Sequence, residues 1–300
     1  MVPRSGRAGW LAILAWLTIA PVTGLGEEAY QLAYEVISNR EIRLESPSPI
    51  ARRVLKKSDG LLAGRSAHFF ALAPTIRSLS AAIEEAEFAW MWLDEWLGST
   101  PDTTNRSLLA IVDDPKLWQS LADRHGLRHD SLAMQIQREL YLKDDQGQAA
   151  RPDRIAHEVV HLRLTSSGDS SLPLWLEEGF ANYAGWRCAV AINRTRDITL
   201  YRNVPALDES RILPLSALMS ITAYPSDPED AKAFYRQSEE WVAALVETHG
   251  SEAIRTLIEK ARSFRIDQPD GLREALTLET PQLESLEHEV NQRCREPLKY

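Results

Sequence analysis

Short apolar runs bounded by polar or turn-forming residues dominate the first half of the chain, and apolar positions recurring every three or four residues dominate the second. Ser66-Ala-His-Phe-Phe-Ala-Leu-Ala73 reads as a strand, and Leu108-Leu-Ala-Ile-Val112 as a second, buried one. Between them Ile83, Ala86, Phe88 and Leu93 share a helical period, which predicts a helix over Ser78–Leu97 stopped by Gly98. Trp90, Trp92 and Trp96 lie in that pattern and read as core packing rather than as an aromatic binding box. A shorter helix is predicted near Pro115–Asp123. Met134–Lys143 alternates, and so predicts one strand with Gln135, Gln137, Glu139 and Tyr141 on one face. From Arg151 the pattern is almost wholly helical, broken at Ser166–Ser171, Asn203–Pro214 and Pro225–Pro228. Strands early and helices late predict an α+β fold rather than an alternating one. No repeat, low-complexity tract or long linker divides the chain. Residues 27–65 carry no assignable pattern and are taken as an N-terminal extension to a domain over residues 66–300.

Composition narrows the class. With 300 residues, 44% of them apolar and 26% charged, the chain matches ordinary globular proteins and excludes a disordered, collagen-like or multi-span membrane protein. A formal charge of -9 repels phosphate backbones and argues against a nucleic-acid partner. The first 26 residues stand apart: Arg4 and Arg7, an apolar core over Trp10–Ala20, then Gly24-Leu25-Gly26. This is the pattern of a secretory signal peptide, with an uncleaved anchor and a buried helix as alternatives. The expected location is therefore the periplasm or the exterior, with a membrane involved only if the segment stays as an anchor. Cleavage removes both arginines and takes the charge to -11. Export favours a disulfide between Cys188 and Cys294 over two buried thiols. Asn105-Arg-Ser and Asn193-Arg-Thr are glycosylation sequons, which matter only in a cell that glycosylates.

The chemistry is concentrated in Asp153-Arg-Ile-Ala-His157-Glu158-Val-Val-His161-Leu-Arg-Leu164, a predicted helix that Asp153 can cap. Four residues are about 400° of helical rotation, so His157 and His161 project from one face. That spacing lets two imidazoles share a tetrahedral zinc. Glu158 is turned by about 100° from His157, beside the metal, where it could deprotonate a coordinated water. The other reading is a helix face bearing two histidines, although Ile155, Val159 and Leu162 make that helix half buried. A third ligand follows in Leu172-Pro-Leu-Trp-Leu-Glu177-Glu178-Gly-Phe-Ala-Asn182-Tyr183, a second helix whose carboxylate could close a His₂Glu site.

His-Glu-x-x-His followed by Trp-Leu-x-Glu-Gly-x-Ala-x-Tyr resembles the gluzincin metallopeptidases, and most nearly their peptidase MA-like branch. The resemblance implies a zincin-like, two-lobed α+β domain with one zinc per chain, held by His157, His161 and Glu178, and Glu158 as the base. The Glu before Gly is the ligand in that pattern, which leaves Glu177 as solvated helix surface. Asn182, one turn on, is implied to orient a ligand histidine. Ala233-Phe-Tyr235-Arg-Gln-Ser238, ahead of a helix that ends at Gly250, is similar to the stretch that supplies an oxyanion-stabilising tyrosine, here Tyr235. The other reading of Tyr235 is an aromatic anchor for the helix start. The family pairs substrate with an edge strand before the zinc helix, a role that falls to Met134–Lys143. Its aminopeptidases carry Gly-x-Met-Glu-Asn, whereas Leu132-Ala-Met-Gln-Ile136 has no such Glu, so an endopeptidase acting on peptide or protein is expected. The rival is a gluzincin-like envelope binding or scaffolding protein without activity. His68, His125, His129, His249 and His288 read as structural.

Overall fold

The computed structural model describes residues 34–97, 105–125, 132–144, 151–166, 172–196, 198–200, 202–261 and 266–299. The proposed signal segment lies outside them. Six strands form one sheet: β1 (Glu35–Ile37), β2 (Leu62–Arg65), β3 (Phe69–Ala73), β4 (Ser107–Val112), β5 (Ala133–Ile136) and β6 (Glu139–Lys143), in the order β1-β2-β3-β4-β6-β5. The central strands β3, β4 and β6 are parallel, with Phe70 opposite Leu108 and Leu109 opposite Leu140. Their nearly continuous apolar sequences follow from burial on both faces. β1, β2 and β5 join antiparallel, so β1 and β5 are the edges.

Helices cover both faces. Phe70, Leu72, Leu108, Ala110, Val112 and Tyr141 pack against α1 (Pro49–Lys56) and α3 (Pro115–His125). The opposite face meets α2 (Ile76–Leu97) and α4 (Pro152–Ser166). Helix α2 buries Leu79, Ile83, Ala86, Trp90 and Leu93, a stripe at helical spacing. Past α4 the described chain is helical except for one short pair of strands. Its helices are α5 (Leu174–Thr195), α6 (Leu215–Met219), α7 (Pro228–His249), α8 (Ser251–Ala261), α9 (Pro269–Leu276) and α10 (Thr280–Cys294). The strands β7 (Asn203–Val204) and β8 (Leu298–Lys299) pair antiparallel. The mixed architecture agrees with the expected α+β class. Within it, parallel β3, β4 and β6 carry helices in their connections.

Four expectations need correction. Met134–Lys143 is a hairpin, not one strand: Gln137 and Arg138 make a tight turn, and Gln137 adopts the left-handed backbone at φ 55° without a glycine to announce it. Glu139 is buried despite its charge because it accepts hydrogen bonds from the Ser48 amide (2.6 Å), the Ser48 hydroxyl and Tyr141 (2.7 Å). Residues taken as an extension supply β1, α1 and β2, and from Tyr34 they belong to one unit with the rest. Their signal is weak because β1 and β2 are only three and four residues long, and half of β2 and two residues of β1 are exposed or half-buried. Cys188 and Cys294 are both buried and free, without a disulfide. Burial pushes both thiols up, Cys294 to about 12. Asn193 lies buried within α5 and its amide donates to the Ala189 carbonyl (2.8 Å), which leaves that sequon inaccessible in the folded chain.

Candidate metal centre

Two helices build the site. α4 starts with Pro152, a residue suited to the first helical position, and Asp153 sits in the first turn instead of capping it; its carboxylate accepts from Arg151 at 3.1 and 2.6 Å. On the other side α4 is tied to α2 by an Arg163–Asp94 ion pair, with the Arg163 guanidinium 4.5 Å above the Trp90 ring. α5 runs back along α4, since Glu177 meets His161 while Gly185 meets Asp153.

Two glycines set how closely α5 can lie. A Cβ at Gly185 would stand 2.8 Å from the Asp153 carbonyl oxygen, and one at Gly179 would collide with the Ser238 carbonyl of α7. Gly179 directly follows Glu178, so its missing side chain is what lets α7 close over the ligand position. This is a packing reason for the Glu-Gly pair.

The result is a triangle of lone-pair donors. His157 Nε2 and His161 Nε2 are 3.1 Å apart, and Glu178 Oε2 lies 3.5 Å from the first and 3.6 Å from the second. A tetrahedral ion with bonds of about 2.0–2.1 Å spaces its ligands about 3.4 Å apart. The three residues could therefore hold a metal ion, and they are the set that the resemblance implies. Glu178 is 2% exposed, and the His157 side chain, at 21%, is the open corner.

Each ligand is held by a further side chain. His161 Nδ1 lies 2.9 Å from Glu177 Oε1, which fixes the tautomer that leaves Nε2 free for a metal. Glu177 was expected to be solvated surface; the chain instead uses both adjacent glutamates, one on each side of the imidazole. The Asn182 side chain stands beside His157 and favours its charged form. Glu178 Oε1 accepts from the Tyr224 hydroxyl at 2.5 Å. Sequence reasoning passed over Tyr224; its one signal was the Tyr-Pro step just ahead of α7. Tyr235, on α7, lies near it, with ring centroids 6.3 Å apart.

The electrostatics favour a positive charge in the triangle. Burial, and then the His161 charge, lowers His157 to about 4. Burial opposes charge on His161 too, but the carboxylates of Glu178, Glu177 and Glu158 outweigh it and hold that imidazole well above its ordinary value. Burial would raise Glu178, yet both histidines and Tyr224 bring it down to about 2. Glu158 is lifted by burial to about 7, against the pull of His161. Compared with known proteins, the chain matches no protein-family model and no curated protein.

Proposed function

We propose that this chain is an exported, zinc-dependent metallopeptidase of zincin-like, two-lobed architecture, acting as an endopeptidase on peptide or protein. The observation that carries the reading is the His157–His161–Glu178 triangle, whose 3.1–3.6 Å edges suit a tetrahedral ion. The His-Glu-x-x-His and Trp-Leu-x-Glu-Gly motifs that resemble the gluzincins give it a second footing. Two nitrogen donors and one carboxylate are the donor set of hydrolytic zinc sites, and such a set keeps a position open for chemistry.

When bound, zinc supplies Lewis acidity to the attacking water and to the scissile carbonyl. His157, His161 and Glu178 would hold it. Glu158, buried beside the ligands, takes the proton from the attacking water on its carboxylate and passes it to the leaving amine. Tyr235 donates its hydroxyl to the oxyanion that develops on the carbonyl. Strand β5, the sheet edge that packs against α4, pairs on one side only among the described residues and offers its outer backbone groups to an extended substrate. Export rests on the basic and apolar pattern of residues 4–26.

The test is direct. The mature protein should carry about one zinc per chain by elemental analysis, the count expected of a His₂Glu site. It should also cleave members of a broad peptide library in a chelator-sensitive way. Glu158→Gln should keep the metal and lose about 10²–10⁴ in turnover. Cleavage that survives the chelator would overturn the mechanism, and zinc without any cleavage would turn the reading toward an envelope binding or scaffolding protein.

A further inference from the structure

We infer that Tyr224 is a positioning residue of the metal site: by occupying Oε1 of Glu178 it leaves only Oε2 to face the two histidines, so that the ligand acts through one oxygen. The inference rests on the metal reading of the triangle. Its geometric basis is the division of labour within one carboxylate. Oε1 accepts from the Tyr224 hydroxyl at 2.5 Å, while Oε2 lies 3.5 and 3.6 Å from the imidazole nitrogens. A carboxylate can bind a metal with one oxygen or two, and a short hydrogen bond to one of them selects the first mode. Glu178 is only 2% exposed, so without Tyr224 its Oε1 would lose the donor that compensates its burial.

The segment that brings Tyr224 there is held from several sides. Pro225 restricts the Tyr224 backbone to extended conformations. Two residues on, Asp227 caps α7 by accepting from the Glu229 and Asp230 amides, and Pro228 fills the first helical position. Arg211 pairs with both Asp227 (3.1 Å) and Asp230. The hydroxyl is thus delivered by a fixed turn, although the Tyr224 residue is 53% exposed. With Glu177 on His161 and Asn182 on His157, Tyr224 gives the third ligand its own orienting partner. The two tyrosines then divide the work, Tyr224 on the ligand and Tyr235 on the substrate.

The experiment uses the full mature protein with zinc and, in parallel, with cobalt(II), whose visible d–d absorption weakens as coordination rises from four to five. Tyr224→Phe should weaken zinc binding by about 10–100-fold in chelator competition. It should also lower the cobalt absorbance, as the freed carboxylate oxygen joins the ion. Tyr235→Phe should keep wild-type zinc affinity and cobalt spectrum. The metal-stripped Tyr224→Phe protein should melt a few degrees below the wild type, because Oε1 of the buried Glu178 loses its donor. It should do so in one transition with an unchanged denaturant m-value, which separates ligand positioning from a folding defect. Wild-type affinity together with an unchanged cobalt spectrum in Tyr224→Phe would overturn the inference, as would equal weakening in Tyr235→Phe. A wild-type protein that takes up no zinc would overturn the metal reading itself, and that result is read before any variant is made.

Discussion

Among the described residues two clusters of histidine and glutamate stand out, and their geometry separates them more than their composition does. In His157, His161 and Glu178 three lone-pair donors point at one another across 3.1–3.6 Å. In the second cluster a single pair is closed on itself. His68 Nδ1 meets Glu87 Oε2 at 2.5 Å, the His68 amide donates to the other Glu87 oxygen at 2.8 Å, and the ring stacks on Trp90 at 4.7 Å. His68 Nε2 is buried without a hydrogen-bond partner among the described residues. A metal site needs convergence on a point not yet taken; a structural pair spends its polar groups on each other. The two are also linked, because Arg163, two residues beyond His161, lies over the same Trp90 ring.

The sharpest break of this comparison is to remove one histidine from each cluster. His161→Ala should abolish zinc retention and with it all hydrolysis, with elemental analysis as the readout; retained zinc would remove the site. His68→Ala should leave zinc content unchanged but strand the buried Glu87 carboxylate, at a cost of about 3 kcal/mol seen in denaturant unfolding. Next in size, Gly179→Ala should destabilise by about 1–3 kcal/mol, because the added methyl meets the Ser238 carbonyl and pushes α7 from α5. It should weaken zinc as well, whereas a merely local clash would leave affinity intact. Glu177→Gln keeps the shape but loses the charge on His161, and zinc affinity should fall by about tenfold in chelator competition.

The smallest effect is a pH dependence in the structural pair. Burial would raise Glu87, but hydrogen bonds from His68 and Ser66 outweigh it and hold the carboxyl below its ordinary value. A depressed carboxyl contributes stability that is fully present above its unfolded value of about 4.3 and is lost as pH falls through the lower folded value. The stability advantage of wild type over Glu87→Gln should therefore shrink on acidification below about pH 4. An advantage that stays constant from pH 7 to 3 would show that the carboxylate charge plays no part.

The parts of this molecule that a reader could anticipate are those with local causes. The α2 stripe, the apolar β4 run, the Gly250 stop of α7 and the i, i+4 histidines all follow from periodicity or from one residue's backbone preference, and the structure has them there. Glu178 was legible through the resemblance, which implies that the Glu before Gly is the ligand. The hairpin at Gln137–Arg138 was not, since neither residue favours a tight turn and the strands around it are buried by neighbours distant in the chain. Glu177 and Glu178 are adjacent in sequence, and nothing local says that the first turns to Nδ1 of His161 and the second to its Nε2. Cys188 and Cys294 show the same limit: export chemistry permits a bond, and the fold leaves both thiols buried and unpaired.

By itself, then, the sequence determined which helices carry the residues that could hold a metal ion and the face of α4 that bears two of them, because a helix converts spacing into direction without help from the rest of the chain. Tertiary structure alone decided what stands behind each ligand. Glu177, Asn182 and Tyr224 act across helices and from a turn 46 residues beyond Glu178. Their placement depends on how closely α5 can approach α4 and α7, which the missing side chains of Gly185 and Gly179 allow. Ligand identity is a local property of the chain, whereas ligand orientation is a property of packing.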